Sequence, residues 1–382
     1  MIALTAAQIA EAVSGTLSAT LDPATVLVHV TPDSREVTAE GTLYVAKPGE
    51  RADGHDFIDA ALGAGAAAVL AERATHAPDG AAHPAIIVED AVLAMGALAR
   101  EVVRRVREHS PTTVIGITGS AGKTTTKDLL AALLATQGPT VAPVGSYNGE
   151  VGVPLTVFRA ELDTRFLVVE MGADHVGNIA YLCDIVRPDI GVVLMVGTAH
   201  AGSFGGVANI ARTKGELVEA LGPDGVAVLN LDDERVAGMA ARTAAPITWF
   251  TADERGVARA AEDVAAGRAS GLVAARDVRA DDQERPVFDL QVGTDEAAVR
   301  HPVASGLTGL HHVHNVLAAA AAAHAAAGPA PNGVHAAPRA IWGAIARKSS
   351  NDAMARERAR PPSMSGMNSR TETTSRTRRR LA

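Results

Sequence analysis

Residues 113–128, Thr-Val-Ile-Gly-Ile-Thr-Gly-Ser-Ala-Gly-Lys-Thr-Thr-Thr-Lys-Asp, run from an apolar strand through a glycine-rich turn into a helix. That order decides the fold, because it is the architecture that holds a nucleotide triphosphate. Gly119 and Gly122 let backbone N–H groups face a phosphate with no Cβ in the way, and a helix begun near Lys123 points its positive end at the same anion. The stretch predicts an ATP cradle formed by Thr118, Gly119, Ser120, Ala121, Gly122 and Thr125. Lys123 would reach the terminal phosphates and the Thr124 hydroxyl a magnesium ion. Ile117 stands where the longer P-loop pattern has its first glycine, so the spacing is the tighter Gly-x-x-Gly-Lys-Thr form.

Downstream, residues 165–170, 190–196, 225–230 and 247–251 read as strands separated by helical segments. The rhythm predicts a mostly parallel, doubly wound sheet with ligands at the carboxyl ends of its strands. Residues 271–275 and 287–292 read as a hairpin extension before a helix starting near His312. Upstream, a helix over 6–13, strands over 26–30, 42–45 and 66–70 and a helix over 58–63 describe a small α/β domain, closed by the boundary Ser110-Pro111. The expected organisation is α/β throughout: an N-terminal domain over 1–108, a P-loop domain over 109–330, and a basic, disordered tail over 331–382.

The chain has 382 residues, 47% of them hydrophobic and 20% charged, which is enough apolar material for two or three cores. A single cysteine, Cys183, excludes a disulfide framework. The N-terminus lacks the basic start and apolar run of a signal peptide, and no apolar stretch approaches the roughly 20 residues of a membrane span. A cytoplasmic protein is expected. Net charge is −8, yet eleven Arg or Lys and only three Asp or Glu follow residue 338, so the body of the chain is the acidic part. That balance argues against nucleic acid as a partner.

Polar residues cluster where strand ends should meet the nucleotide. Glu170 ends an apolar strand and is a magnesium-ligand candidate. His200 follows the next strand and Lys214 lies on the helix beyond it; by pattern alone a structural histidine and a solvated lysine explain both. Asn230-Leu-Asp-Asp233 suits recognition of ribose or base, and an Asx-rich turn accounts for it equally well. In His311-His312-Val313-His314 the spacing is poor for zinc, since adjacent helical residues point in different directions.

Taken together, the P-loop stretch, Asn148-Gly-Glu-Val-Gly-Val-Pro-Leu-Thr156, Val169-Glu-Met-Gly-Ala173, Gly197-Thr-Ala-His200, Lys214-Gly-Glu216, Asn230-Leu-Asp-Asp233 and Gly309-Leu-His-His-Val-His-Asn315 resemble the Mur ligases. The resemblance runs through about residue 325 and includes Asp33-Ser34-Arg35, Gly41 to Lys47 and Asp53-Gly-His55 of the uridine-nucleotide domain. It implies an ATP-dependent ligase that adds D-alanyl-D-alanine to UDP-N-acetylmuramoyl-tripeptide through an acyl phosphate, acting as a monomer on small-molecule substrates. It further implies that Thr124, Glu170 and His200 hold Mg2+, that Lys214 is carbamylated, and that Asn230, His311 and Asn315 lie by the adenine and ribose. Ser34, Arg35, Lys47, His55 and Asn148 would hold the UDP-linked substrate.

The chain departs from the family's pattern at Gly149, where a second asparagine is usual, and at Met195-Val196. After about residue 330 αβ patterning stops, with no Asp-x-Tyr-Asn-Ala-Asn-Pro segment of the family's C-terminal domain. A reading-frame shift near 330–345 is the expectation this raises, with a catalytically impaired remnant that binds ATP and the UDP-linked precursor as the alternative function.

Overall fold

In the computed structural model, residues 1–49, 52–198, 204–294 and 298–327 are described. A nine-stranded sheet runs, edge to edge, through Thr140–Val141, Phe166–Glu170, Thr113–Thr118, Ile190–Val193, Val226–Asn230, Ile247–Thr251, Gly271–Ala280, Pro286–Val292 and Val299–Ala304. The first seven strands are parallel and the last two antiparallel. Runs such as Phe166–Glu170 and Ile190–Val193 are buried at every position because helices cover both faces. On one face Ile115, Ile117, Val168, Val192 and Phe250 pack with Leu130 and Leu134 of the P-loop helix Lys123–Leu134 and Leu317 of the helix His312–Ala326. On the other, Val114, Val169, Val193 and Leu229 pack with Ile179 and Leu182 of the helix Asn178–Val186 and Leu217 of the helix Val207–Glu219.

The strand order is what positions the site. From Thr113–Thr118 the chain first fills the sheet on one side, then crosses to Ile190–Val193 on the other. The P-loop therefore leaves the sheet at a topological switch point, with the ends of Phe166–Glu170 and Ile190–Val193 on either side of it. The smaller five-stranded sheet, ordered Thr16–Leu17, Ala85–Ile87, Ala66–Ala71, Thr42–Ala46, His29–Thr31, is parallel except at Thr16–Leu17. Helix Ala91–His109, capped by the Asp90 carboxylate, links the two regions.

Three expectations need correcting. The strand read over 26–30 is two: Val26–Leu27 pairs with Leu4–Thr5, whereas His29–Thr31 joins the five-stranded sheet. The strand read over 190–196 ends at Val193, because the Asn230 amide then takes the Leu194 carbonyl and the Asp233 carboxylate takes the Val196 N–H. The expected hairpin is a three-stranded meander whose first strand continues to Ala280 past an irregularity between Arg276 and Arg279. The tail over 331–382 lies outside the described residues.

Candidate active site

Gly122, at φ +82°, caps the P-loop helix in the left-handed region, and an added Cβ would collide with the Asn315 amide oxygen. Glycine is thus required there by the turn and by the neighbouring helix alike. Lys123 Nζ donates to the Gly119 carbonyl at 3.0 Å, lying across the mouth of the cradle. The Ser120 N–H donates to the Met195 carbonyl, Ala121 is exposed, and Thr125 is half-buried. Thr118 turns away from the cradle: its buried hydroxyl donates to the Met171 carbonyl at 2.9 Å, tying two strand ends together.

Thr124 Oγ1 donates to Glu170 Oε2 at 2.9 Å and lies 3.0 Å from Ser146 Oγ. The other carboxylate oxygen, Oε1, accepts from Asn148 Nδ2 at 2.9 Å, and Glu170 is 1% exposed. A hydroxyl and a carboxylate brought together beside a phosphate cradle are hard oxygen donors of the kind Mg2+ takes. Asn148, expected on the substrate, has its amide on Glu170 instead. Gly149 is no obstacle to this arrangement, since a side chain there would have nothing within 4 Å. His200, the other expected metal ligand, lies outside the described residues.

Lys214 is buried, against the solvated lysine that pattern alone suggested. Burial first, and the charge of Lys123 second, push its ammonium down to about 8. Its neighbours explain the Lys-Gly-Glu order. Gly215 makes room for the Arg242 guanidinium, which donates to the carbonyls of Ala211 and Arg212. The Glu216 carboxylate accepts from the N–H groups of Gly177 and Ala180, at the start of the helix Asn178–Val186.

Lys123 and Lys214 line a cleft of about 1420 Å³ that continues past Asn148 and Asn178 to Ser34, Arg35 and Lys47. Arg35 donates from Nε and Nη2 to the Asp33 carboxylate at 2.9 and 2.6 Å and holds it down to about 2. His55 does not line this cleft. It is buried with Nδ1 2.6 Å from Asp53 Oδ1 while Nε2 accepts from the Glu72 N–H at 3.1 Å, so it braces the loop that carries Lys47. The Arg73 guanidinium also reaches Asp53, whose carboxyl is held below the usual range by the His55 backbone N–H first and Arg73 next.

Asn230 is buried, donating to the Leu194 carbonyl at 2.8 Å and accepting from the Asp232 N–H at 3.0 Å, which is a brace between strand ends. Asn315 accepts from the Thr126 hydroxyl at 3.4 Å, tying its helix to the P-loop helix, and meets His312 Nδ1 at 3.0 Å within its own helix. His311 is exposed, its ring centroid 4.1 Å from that of His312 with the two planes tilted by 42°. Sequence reading missed the partners that hold these groups: Ser146 on Thr124, and His314, whose Nε2 lies 2.8 Å from Asp232.

Mur ligase family, catalytic domain, is the description of the profile that matches residues 27–103, and Mur ligase middle domain that of the profile matching 117–323. The UDP-N-acetylmuramoyl-tripeptide--D-alanyl-D-alanine ligase of Mycobacterium tuberculosis (strain ATCC 25618 / H37Rv) is 44% identical over 342 residues, covering 85% of this chain and 63% of the relative. The chain thus spans less than two thirds of that relative's length. The crystal structure of MurF from Acinetobacter baumannii superposes with a TM-score of 0.73 at 29% identity, over 90% of this chain and 67% of that one. MurF ligase from Thermotoga maritima in complex with ADP gives 0.64 at 28%, over 84% and 65%. Because the middle-domain match alone extends over more than half of the residues and takes in the phosphate cradle, Glu170, Lys214 and Asn315, the chain belongs to the Mur ligase family.

Proposed function

We propose that this chain carries the nucleotide and precursor sites of an ATP-dependent ligase that joins D-alanyl-D-alanine to UDP-N-acetylmuramoyl-tripeptide in peptidoglycan precursor synthesis. The observation that carries the reading is one continuous cleft, in which Lys123, Ser120 and Lys214 at the P-loop share a wall with Ser34, Arg35 and Lys47 of the N-terminal region. A substrate reaching from one end to the other would have its nucleotide gripped far from its reacting carboxylate. Remote affinity is then converted into orientation.

In this reading Lys123 leaves the Gly119 carbonyl for the terminal phosphates, where its charge offsets that developing on the transferred group. Mg2+, held by Thr124, Glu170 and, by family resemblance, His200, would supply further screening of that charge. The tripeptide carboxylate attacks the γ-phosphorus, giving an acyl phosphate and ADP. The dipeptide amine then attacks the acyl carbon, passes through a tetrahedral intermediate and expels phosphate. Lys214, with its lowered pKa, is the residue on which a carbamate would form, turning a cation into an anion beside the phosphates. His311, exposed at the start of its helix, is free to meet the adenosine end. A cytoplasmic monomer acting on small molecules fits this role; no helix among the described residues is long and apolar enough to cross a membrane.

The test is ADP release by the purified chain with ATP, Mg2+ and UDP-N-acetylmuramoyl-tripeptide, with and without D-alanyl-D-alanine. Release that strictly requires the dipeptide is expected. Release indifferent to it would overturn the assignment.

A further inference from the structure

Lys127 follows Lys123 by one helical turn and is 2% exposed, yet it faces away from the cleft. Its ammonium donates to the carbonyls of Pro143 at 2.9 Å and Gly145 at 3.3 Å, and pairs with Asp128 at 2.7 Å. An ammonium has three protons to place, and a buried one is costly unless they are satisfied. Here the two carbonyls belong to the segment between strand Thr140–Val141 and helix Gly152–Val157, which has no regular structure of its own to fix its register.

That segment carries the two side chains that hold the Thr124–Glu170 pair. Ser146 Oγ lies 3.0 Å from Thr124 Oγ1, and Asn148 Nδ2 donates to Glu170 Oε1. Its start is fastened separately, by Arg159 Nη1 on the Ala142 carbonyl at 2.7 Å. Thr124 and Lys127 are one turn apart on the same helix, so the clamp and the hydroxyl share one rigid frame. We propose that Lys127 is a positioning residue for the metal pocket: by gripping the Pro143 and Gly145 carbonyls it sets where Ser146 and Asn148 stand, and through them the orientation of Thr124 and Glu170.

The proposal rests on reading Thr124 and Glu170 as the Mg2+ site, and the experiment separates the two. A fluorescent ATP analogue is titrated into the full chain at rising Mg2+, and once in EDTA. Lys127→Met should raise the Mg2+ concentration for half-maximal binding about tenfold, the scale at which partners of metal ligands act, while affinity in EDTA stays within about twofold. Lys127→Arg, which can still donate to both carbonyls, should recover part of the loss. Ser146→Ala and Asn148→Ala should each raise the Mg2+ requirement about threefold or more with Lys127 intact.

If Glu170→Gln leaves the Mg2+ requirement unchanged, the metal reading fails and the proposal with it. If Glu170→Gln raises it and Lys127→Met does not, the proposal alone is overturned, as it is if Lys127→Met weakens binding equally in EDTA and in Mg2+. Should Lys127→Met fail to fold, an unchanged requirement in both Ser146→Ala and Asn148→Ala overturns it.

Discussion

Lys214 offers a quantitative prediction, because the carbamate proposed for it can form only on the neutral amine. With the ammonium pushed down to about 8, about a quarter of the amine is neutral at pH 7.5. An ordinary lysine near 10.5 would be neutral about one part in a thousand, so burial together with the Lys123 charge multiplies the reactive form roughly 200-fold. The amine nitrogen attacks the carbon of CO2 and one proton leaves. Incubating the chain with 13C-bicarbonate and recording its 13C NMR spectrum should therefore give, beside any signal from the α-amine of Met1, a carbamate resonance of Lys214 between pH 7 and 8.5. Lys214→Met should abolish it. Lys123→Met, which removes the second cause of the lowered pKa, should move the half-formation point to higher pH. A wild-type spectrum with no such resonance, or one that survives Lys214→Met, would refute the argument from burial.

The same group makes stability depend on pH. The folded pKa is lowered while the unfolded value is ordinary, so between about 8 and 10.5 the unfolded chain binds more protons and stability rises with pH. In CO2-free buffer Lys214→Met should be the more stable protein at pH 7, by up to about 3 kcal/mol, with the advantage shrinking through that window in denaturant titrations; a constant difference would count against it. Gly122→Ala should cost about 2–3 kcal/mol, part from the left-handed backbone and part from the collision with Asn315. In an Asn315→Ala background only the backbone part, about 1–2 kcal/mol, should remain, and equal losses in both backgrounds would dismiss the contact.

What was legible in the sequence was local. The cradle could be read because glycine spacing, an apolar strand and a helix start are encoded within sixteen consecutive residues, and the parallel sheet because its buried strands are continuous apolar runs. Val299–Ala304 escaped notice for the converse reason: only Val303 in it is buried, so it carries no apolar run or alternation. Side-chain roles were harder, because a strand-end asparagine can turn toward a ligand or toward the next strand with the same spacing. Asn148, Asn230 and Thr118 take protein partners that are remote in sequence, and nothing local announces them. The burial of Lys214 depends likewise on elements packed over its helix, and the role expected of it came through the resemblance alone.

Helix Ala91–His109 lies where a domain boundary was expected just beyond it, yet its buried residues Met95, Leu98, Val102 and Val106 belong to one core that reaches from Ile2 to Ala274. Arg107 reaches the Arg187 carbonyl and the Asp189 carboxylate, and Arg100 the Asp184 carboxylate, on the far side of that boundary. A protease cutting at Ser110-Pro111 would nick the chain without freeing a separately folded piece. For recombination between relatives, the consequence is that a crossover at this point would graft one half of a packed interior onto a foreign other half. Exchange of the N-terminal region would have to carry with it the helix Asn178–Val186, against which Ala91–His109 packs.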